Sequence, residues 1–178
     1  MPGPRAVGKA CTVSTDNGDS WTLTNNGLTS TDVAALAINS ANGHIFAGTY
    51  SQFGEGGGVF RSTDNGDTWT EQNNGFTAFD VNAVAVNSVG HVFAGAAGGA
   101  FRSTNDGDSW SDISSGLIPA GGNVWALAID TEGYALAGTA GGGVFRSAQS
   151  TTEPHPTPPP RPSPGPSGTP HASPPPRP

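Results

Sequence analysis

Cysteine occurs once in the 178 residues, at Cys11. An internal disulfide and a cysteine metal cluster are therefore both excluded. Basic residues are scarce too: 7 Lys and Arg stand against 14 Asp and Glu, for a formal net charge of -7. With no basic patch to release counterions, a nucleic-acid partner is not expected. No apolar run approaches the roughly 20 residues of a membrane-spanning helix. The opening stretch, MPGPRAVGKACTV, has basic groups but no apolar segment, so no signal peptide is read in it. Hydrophobic residues make up only 34% of the chain. Glycine and proline are plentiful instead, at 27 and 16, which calls for turns or for low complexity.

The proline is concentrated at one end. Residues 148–178 hold 13 of the 16 prolines and no Leu, Ile, Val or aromatic residue. Ordering a chain costs about 1–2 kcal/mol per residue, and nothing apolar here offsets that cost. The segment reads as a disordered, polyproline-rich spacer or stalk. PPPRPSP (Pro158–Pro164) also has the form of an SH3-type docking peptide, a pattern that any proline-rich spacer contains.

The remainder repeats. RSTDNGDTW (Arg61–Trp69) has near copies in VSTDNGDSW from Val13 and RSTNDGDSW from Arg102, and a truncated copy, GGGVFRS, ends at Ser147. Ser14, Ser62, Ser103 and Ser147 lie 48, 41 and 44 residues apart, the period of propeller blades or solenoid turns. Other segments repeat in phase: DVAALAIN, DVNAVAVN and NVWALAID; then GHIFAGT, GHVFAGA and GYALAGT; then GGVFRS, GGAFRS and GGVFRS; then TWTEQNN and SWSDISS. Each is short, rich in Val, Ile, Phe or Thr, and bounded by Gly, Asn or Asp, as strands are. Leu36 and Ile38 alternate with Ala35 and Ala37, and the two later copies keep this large–small pattern, which suits a sheet covered on both faces. The expected fold is all-β, built of four-stranded propeller-type blades. About three blade equivalents fall in residues 10–147, after an N-terminal extension at 1–9 and before the tail at 148–178. Closed propellers have typically about 4–8 blades. The count therefore leaves the ring incomplete unless a longer chain or a homo-oligomer supplies the rest.

The three tryptophan motifs resemble the BNR, or Asp-box, repeat of β-propellers, Ser-x-Asp-x-Gly-x-Ser/Thr-Trp. Ser14, Asp16, Gly18 and Trp21 match it, as do Ser62, Asp64, Gly66 and Trp69. Ser103, Gly107 and Trp110 match with Asn105 in place of the aspartate. The resemblance implies a propeller fold but no single activity, because such boxes occur in sialidases, xyloglucanase-type glycosidases, sortilin-type receptors, a photosystem II assembly factor and extracellular bacterial propellers. An extracellular or cell-surface location follows from the same likeness. Physically the motif reads as a third-to-fourth-strand hairpin. Its Asp or Asn accepts N–H bonds in its own turn, its glycine supplies positive φ, and its tryptophan is expected to insert between strands in every copy. DNGD also clusters oxygens, but the calcium-loop spacing is not matched. The motif is therefore taken as a staple, with no metal and no cofactor.

Function is expected on the opposite rim, where the resemblance places Asp-box active sites. There the repeat is broken: nine residues separate Thr49 from Val59, against three and four in the other copies. Tyr50, Gln52, Phe53 and Glu55 in this insertion, with Phe79 and Trp125, are the candidate ligand-binding residues for a carbohydrate or protein. Catalysis has less support. Arg61, Arg102 and Arg146 are repeat-equivalent and point outward in separate blades, unlike a converging sialidase triad. His44 and His91 are also repeat-equivalent turn residues. A carboxylate pair such as Glu55 with Asp80 or Glu132 would serve a glycosidase. The expected function is a non-enzymatic binding or scaffold module. The alternative is part of an Asp-box glycoside hydrolase.

Overall fold

The computed structural model describes residues 11–51, 57–117 and 122–152. Every regular element among them is a strand. A leading hairpin pairs β1 (Thr12–Val13) with β2 (Thr22–Leu23). The first blade is β3 (Val33–Ile38), β4 (Ile45–Thr49), β5 (Gly58–Ser62) and β6 (Thr70–Glu71), hydrogen-bonded in that order. The second repeats it with β7 (Val81–Val86), β8 (Val92–Ala96), β9 (Gly99–Ser103) and β10 (Ser111–Asp112). The third has β11 (Val124–Ile129), β12 (Ala135–Thr139) and β13 (Gly143–Arg146). All neighbours are antiparallel, and the register shifts at the same place in each blade: between Val33 and Ala35, Val81 and Ala83, and Val124 and Ala126. The all-β propeller-blade reading thus holds, strand by strand.

The blades stack face to face, with β7 lying between β3 and β11. The large side chains of each first strand point back and the small ones point forward. Val84 and Val86 therefore meet Ala35 and Ala37 of the blade before. Glycines in the second strands let this happen. A Cβ on Gly48 would lie 2.6 Å from Val81 Cγ1, and one on Gly95 would lie 2.6 Å from Val124 Cγ1. The main core fills this interface with Phe46, Val59, Phe76, Phe101 and Trp110. Phe76 lies 4.4 Å from Phe101 with the rings tilted by 48°, and it meets Trp110 edge-on at 5.4 Å. Aromatic pairs of this geometry add about 0.5–1.5 kcal/mol beyond the area they bury.

The expectation that sheets are covered on both faces is met only in the second blade. Leu36 is 55% and Ile38 64% exposed on the leading face of the first. On the trailing face of the third, Ala126 and Ala128 are exposed, and a Cβ on Gly138 would meet nothing closer than Ala126 of its own blade, at 3.4 Å. The cause is the stacking rule itself: within the described residues only the β1–β2 hairpin lies before the first blade, and no blade lies after the third.

Candidate functional site

The motif turns are built from their own side chains. In the second copy the Ser62 hydroxyl accepts the Gly66 N–H at 2.8 Å, and Asp64 accepts the Thr68 N–H at 2.9 Å and the Thr68 hydroxyl. Asn65 and Gly66 sit at φ 60° and 96°, the left-handed region that Asn and Gly tolerate. Ser14, Asp16 and Gly18 repeat these bonds. Ser103, Asn105 and Gly107 repeat the two backbone bonds, but the Asn105 amide donates to the Ser109 hydroxyl at 2.9 Å. Among the described residues, no three His, Cys, Asp or Glu side chains are grouped to hold a metal.

Each turn also clasps the blade before it. The Trp69 indole donates to the Thr24 carbonyl at 2.9 Å and its backbone N–H to the Asn26 carbonyl at 2.9 Å. Trp110 does the same to Gln72 at 2.8 Å and Asn74 at 2.9 Å. Trp69 and Trp110 are only 4% and 6% exposed. Trp21 breaks the expectation: it is 64% exposed. Its turn is formed, but the tryptophan reaches backward, and no described blade precedes it.

A polar clasp completes the joint. Asp106 accepts bonds from Asn39 and Asn42, each at 3.1 Å, and contacts His44 Nδ1. Arg61 donates to the Asp106 carbonyl at 2.6 Å and to Asp108 at 2.9 Å. Arg61 and His44 are thus fasteners between the first and second blades. Arg146 instead pairs with Asp130 and Glu132 and lies over the Tyr134 ring at 3.7 Å. Arg102 belongs to neither set: its Nε is buried without a partner. The three arginines thus serve separate places. The sequence reading missed Asp106, Asn39 and Asn42. The one visible signal was Asn39, Asn87 and Asp130, in phase at the ends of the first strands.

These contacts set the acid limb of stability. The Thr68 hydroxyl and N–H, then the Ser62 hydroxyl, hold the Asp64 carboxyl down at about 2. The Ser20 and Ser14 hydroxyls push Asp16 below the usual carboxylate range. Burial works to raise Asp106, but bonds from Asn42, His44 and Asn39 outweigh it, and the net direction is down. A carboxyl depressed by folding contributes stability that is complete above its unfolded pKa of about 3.9 and is lost as pH falls through the folded value. We therefore expect urea-unfolding stability to be flat from about pH 7 to pH 5 and to fall steadily below about pH 4. A fall already complete by pH 5 would count against this assignment.

The sequence-predicted rim residues are only partly in view. Gln52, Phe53 and Glu55 lie outside the described residues. The Tyr50 N–H donates to the Asp32 carbonyl at 2.9 Å, and its carbonyl accepts the Ser30 hydroxyl. Ser51 donates to Asp80 at 2.9 Å, which seats the insertion against the loop carrying Phe79, itself 60% exposed. Trp125 is 52% exposed. Its counterpart Asn82 reaches forward to the Val124 carbonyl at 2.8 Å, so this position points toward a following blade. Asp80 is thus a loop anchor, and Glu132 is an ion-pair partner of Arg146. A cavity of about 1090 Å³ lies elsewhere, between the second and third blades; Glu132 lines it, and Tyr50, Phe79, Asp80 and Trp125 do not.

No protein-family model and no curated protein matches the chain. Solved structures do. An ancestral GH74 enzyme is 25% identical over 76% of this chain and 19% of its own, with a TM-score of 0.56. YCF48 bound to D1 peptide is 17% identical over 80% of this chain and 45% of its own, at 0.57. An extracellular domain of B. thetaiotaomicron (BT4673) is 15% identical over 72% of this chain and 18% of its own, at 0.55. These are β-propeller proteins, and the chain spans less than half the length of each.

Proposed function

We propose that the chain is a non-enzymatic propeller module of the Asp-box type, extracellular, that binds a protein segment or a carbohydrate on the rim beside residues 50–57. The observation that carries this reading is the use of the charged repeat residues. Asp16, Asp64, Asp106, Arg61 and His44, the obvious candidates for chemistry, are engaged in turns and blade joints. Two aromatics stay exposed, Phe79 in the loop against which the one insertion in the repeat is seated and Trp125 at the start of the third blade. A protein ligand is favoured by the likeness to a propeller with a bound peptide, and the extracellular setting by the likeness to an extracellular domain.

The test is binding by the chain, on glycan arrays and in pull-downs from extracellular fractions. Tyr50→Ala with Phe79→Ala and Trp125→Ala is expected to reduce capture at least about tenfold with strand content unchanged, as loss of aromatic anchors does. Undiminished capture would refute the rim assignment. The second reading, part of a glycoside hydrolase, is favoured by the GH74 likeness. Hydrolysis of aryl-glycosides by the chain, abolished by Glu55→Gln, would establish it.

A further inference from the structure

The cavity between the second and third blades occupies the place of a missing tryptophan. Gln72, Asn74 and Phe76, which receive Trp110, correspond by repeat position to Ile113, Ser115 and Leu117, and all three of these line the cavity. The polar clasp is present too. Asn87 and His91 stand where Asn39 and His44 stand, and Arg102 stands where Arg61 stands. No motif follows Ser147, so the segment after β13 fills in: Asn87 donates to Thr151 at 3.1 Å and 3.2 Å, and His91 Nδ1 lies 3.3 Å from its carbonyl. Among the described residues nothing answers Arg102, whose Nε is left buried and unpartnered.

The same chain carries the matching part. Ser14–Trp21 is a formed motif turn whose tryptophan has no socket, and Leu23 beside it is 59% exposed. The open faces match in the same sense. Leu36 and Ile38 are exposed on the leading face, and Ala126 and Ala128 on the trailing face. The internal joint has this arrangement, with Val84 and Val86 over Ala35 and Ala37.

We propose that the socket receives the Ser14–Trp21 turn of a second copy of this chain. β1 and β13 hold the same repeat position, so the donor's β1–β2 hairpin takes the place of residues 143–152. It completes the third blade in trans. Trp21 then donates to the Ile113 carbonyl, and Asp19 meets Arg102 as Asp108 meets Arg61. The contact is head-to-tail, and two copies joined at both ends make a ring of about six blades, within the usual 4–8. The exposed β13, with Val144 at 74%, is the strand that yields.

Sedimentation velocity across concentrations tests this on the full chain. The wild type is expected to dimerise, and Trp21→Ala to weaken dimerisation at least about tenfold without loss of strand content. Asp19→Arg is expected to weaken it as well, and adding Arg102→Asp to that chain is expected to restore it. A wild type that stays monomeric at millimolar concentration overturns the proposal. So does a Trp21→Ala chain that dimerises as tightly as wild type, or open-ended polymers in place of a closed dimer.

Discussion

Trp110→Ala is expected to lower the unfolding free energy by about 3–5 kcal/mol, the usual cost of removing a buried large aromatic. The indole is 6% exposed, packs edge-on against Phe76 and donates to the Gln72 carbonyl. Truncation opens a cavity in the main core and leaves that carbonyl without its donor. A domain of this size has about 5–15 kcal/mol in all, so the variant sits near its unfolding threshold. Trp21→Ala, at a 64% exposed site, should change monomer stability by less than about 0.5 kcal/mol. The contrast matters more than either value, because the two tryptophans close near copies of one motif. Urea unfolding of dilute samples measures both. Equal losses would mean that the motifs are local turns without a joint to make.

Asp106→Ala is expected to cost about 2–3 kcal/mol, more than any other single carboxylate in the described chain. Its side chain is 24% exposed and gathers Asn39, Asn42, His44 and Arg61 from the preceding blade. Removing it strands the Asn39, Asn42 and His44 donors at once, while Arg61 keeps the Asp106 carbonyl and Asp108. Its repeat counterparts are Asn65 and Asn17, so Asp106→Asn keeps the turn and tests the joint alone. The amide nitrogen would face either the asparagine donors or the Arg61 side, and most of the loss should persist. Asp108, 62% exposed, should matter much less when truncated, because its ion pair with Arg61 is open to solvent. A loss under about 0.5 kcal/mol for Asp106→Ala would remove the clasp from the account.

Much of this was legible in the sequence because the relevant physics is local. Asn65-Gly66 and the Ser62–Thr68 spacing specify a self-bonded turn, and alternation over Leu36–Ile38 specifies a strand face. Direction was not legible. A period has no sign, so nothing in the spacing said that each tryptophan reaches back a blade, and Trp21 was wrongly expected to be buried. The clasp was hidden for another reason: Asp106 and Asn39 lie 67 positions apart and meet only once blades stack. The socket left a faint trace, since Ile113, Ser115 and Leu117 keep the phase of Gln72, Asn74 and Phe76 while no tryptophan follows Ser147. Phe79 and Trp125 are exposed, and Ser51 bonds to Asp80 at the base of the insertion.

The central claim is that the repeated motifs are joints, each seated in the blade before it. Hydrogen exchange of the tryptophan indole N–H groups in dilute solution, resolved by NMR, tests it most directly. Trp69 and Trp110 should exchange orders of magnitude more slowly than Trp21 and Trp125, because their indoles are bonded inside a joint and exchange only when it opens. Four indoles exchanging at one fast rate would contradict it.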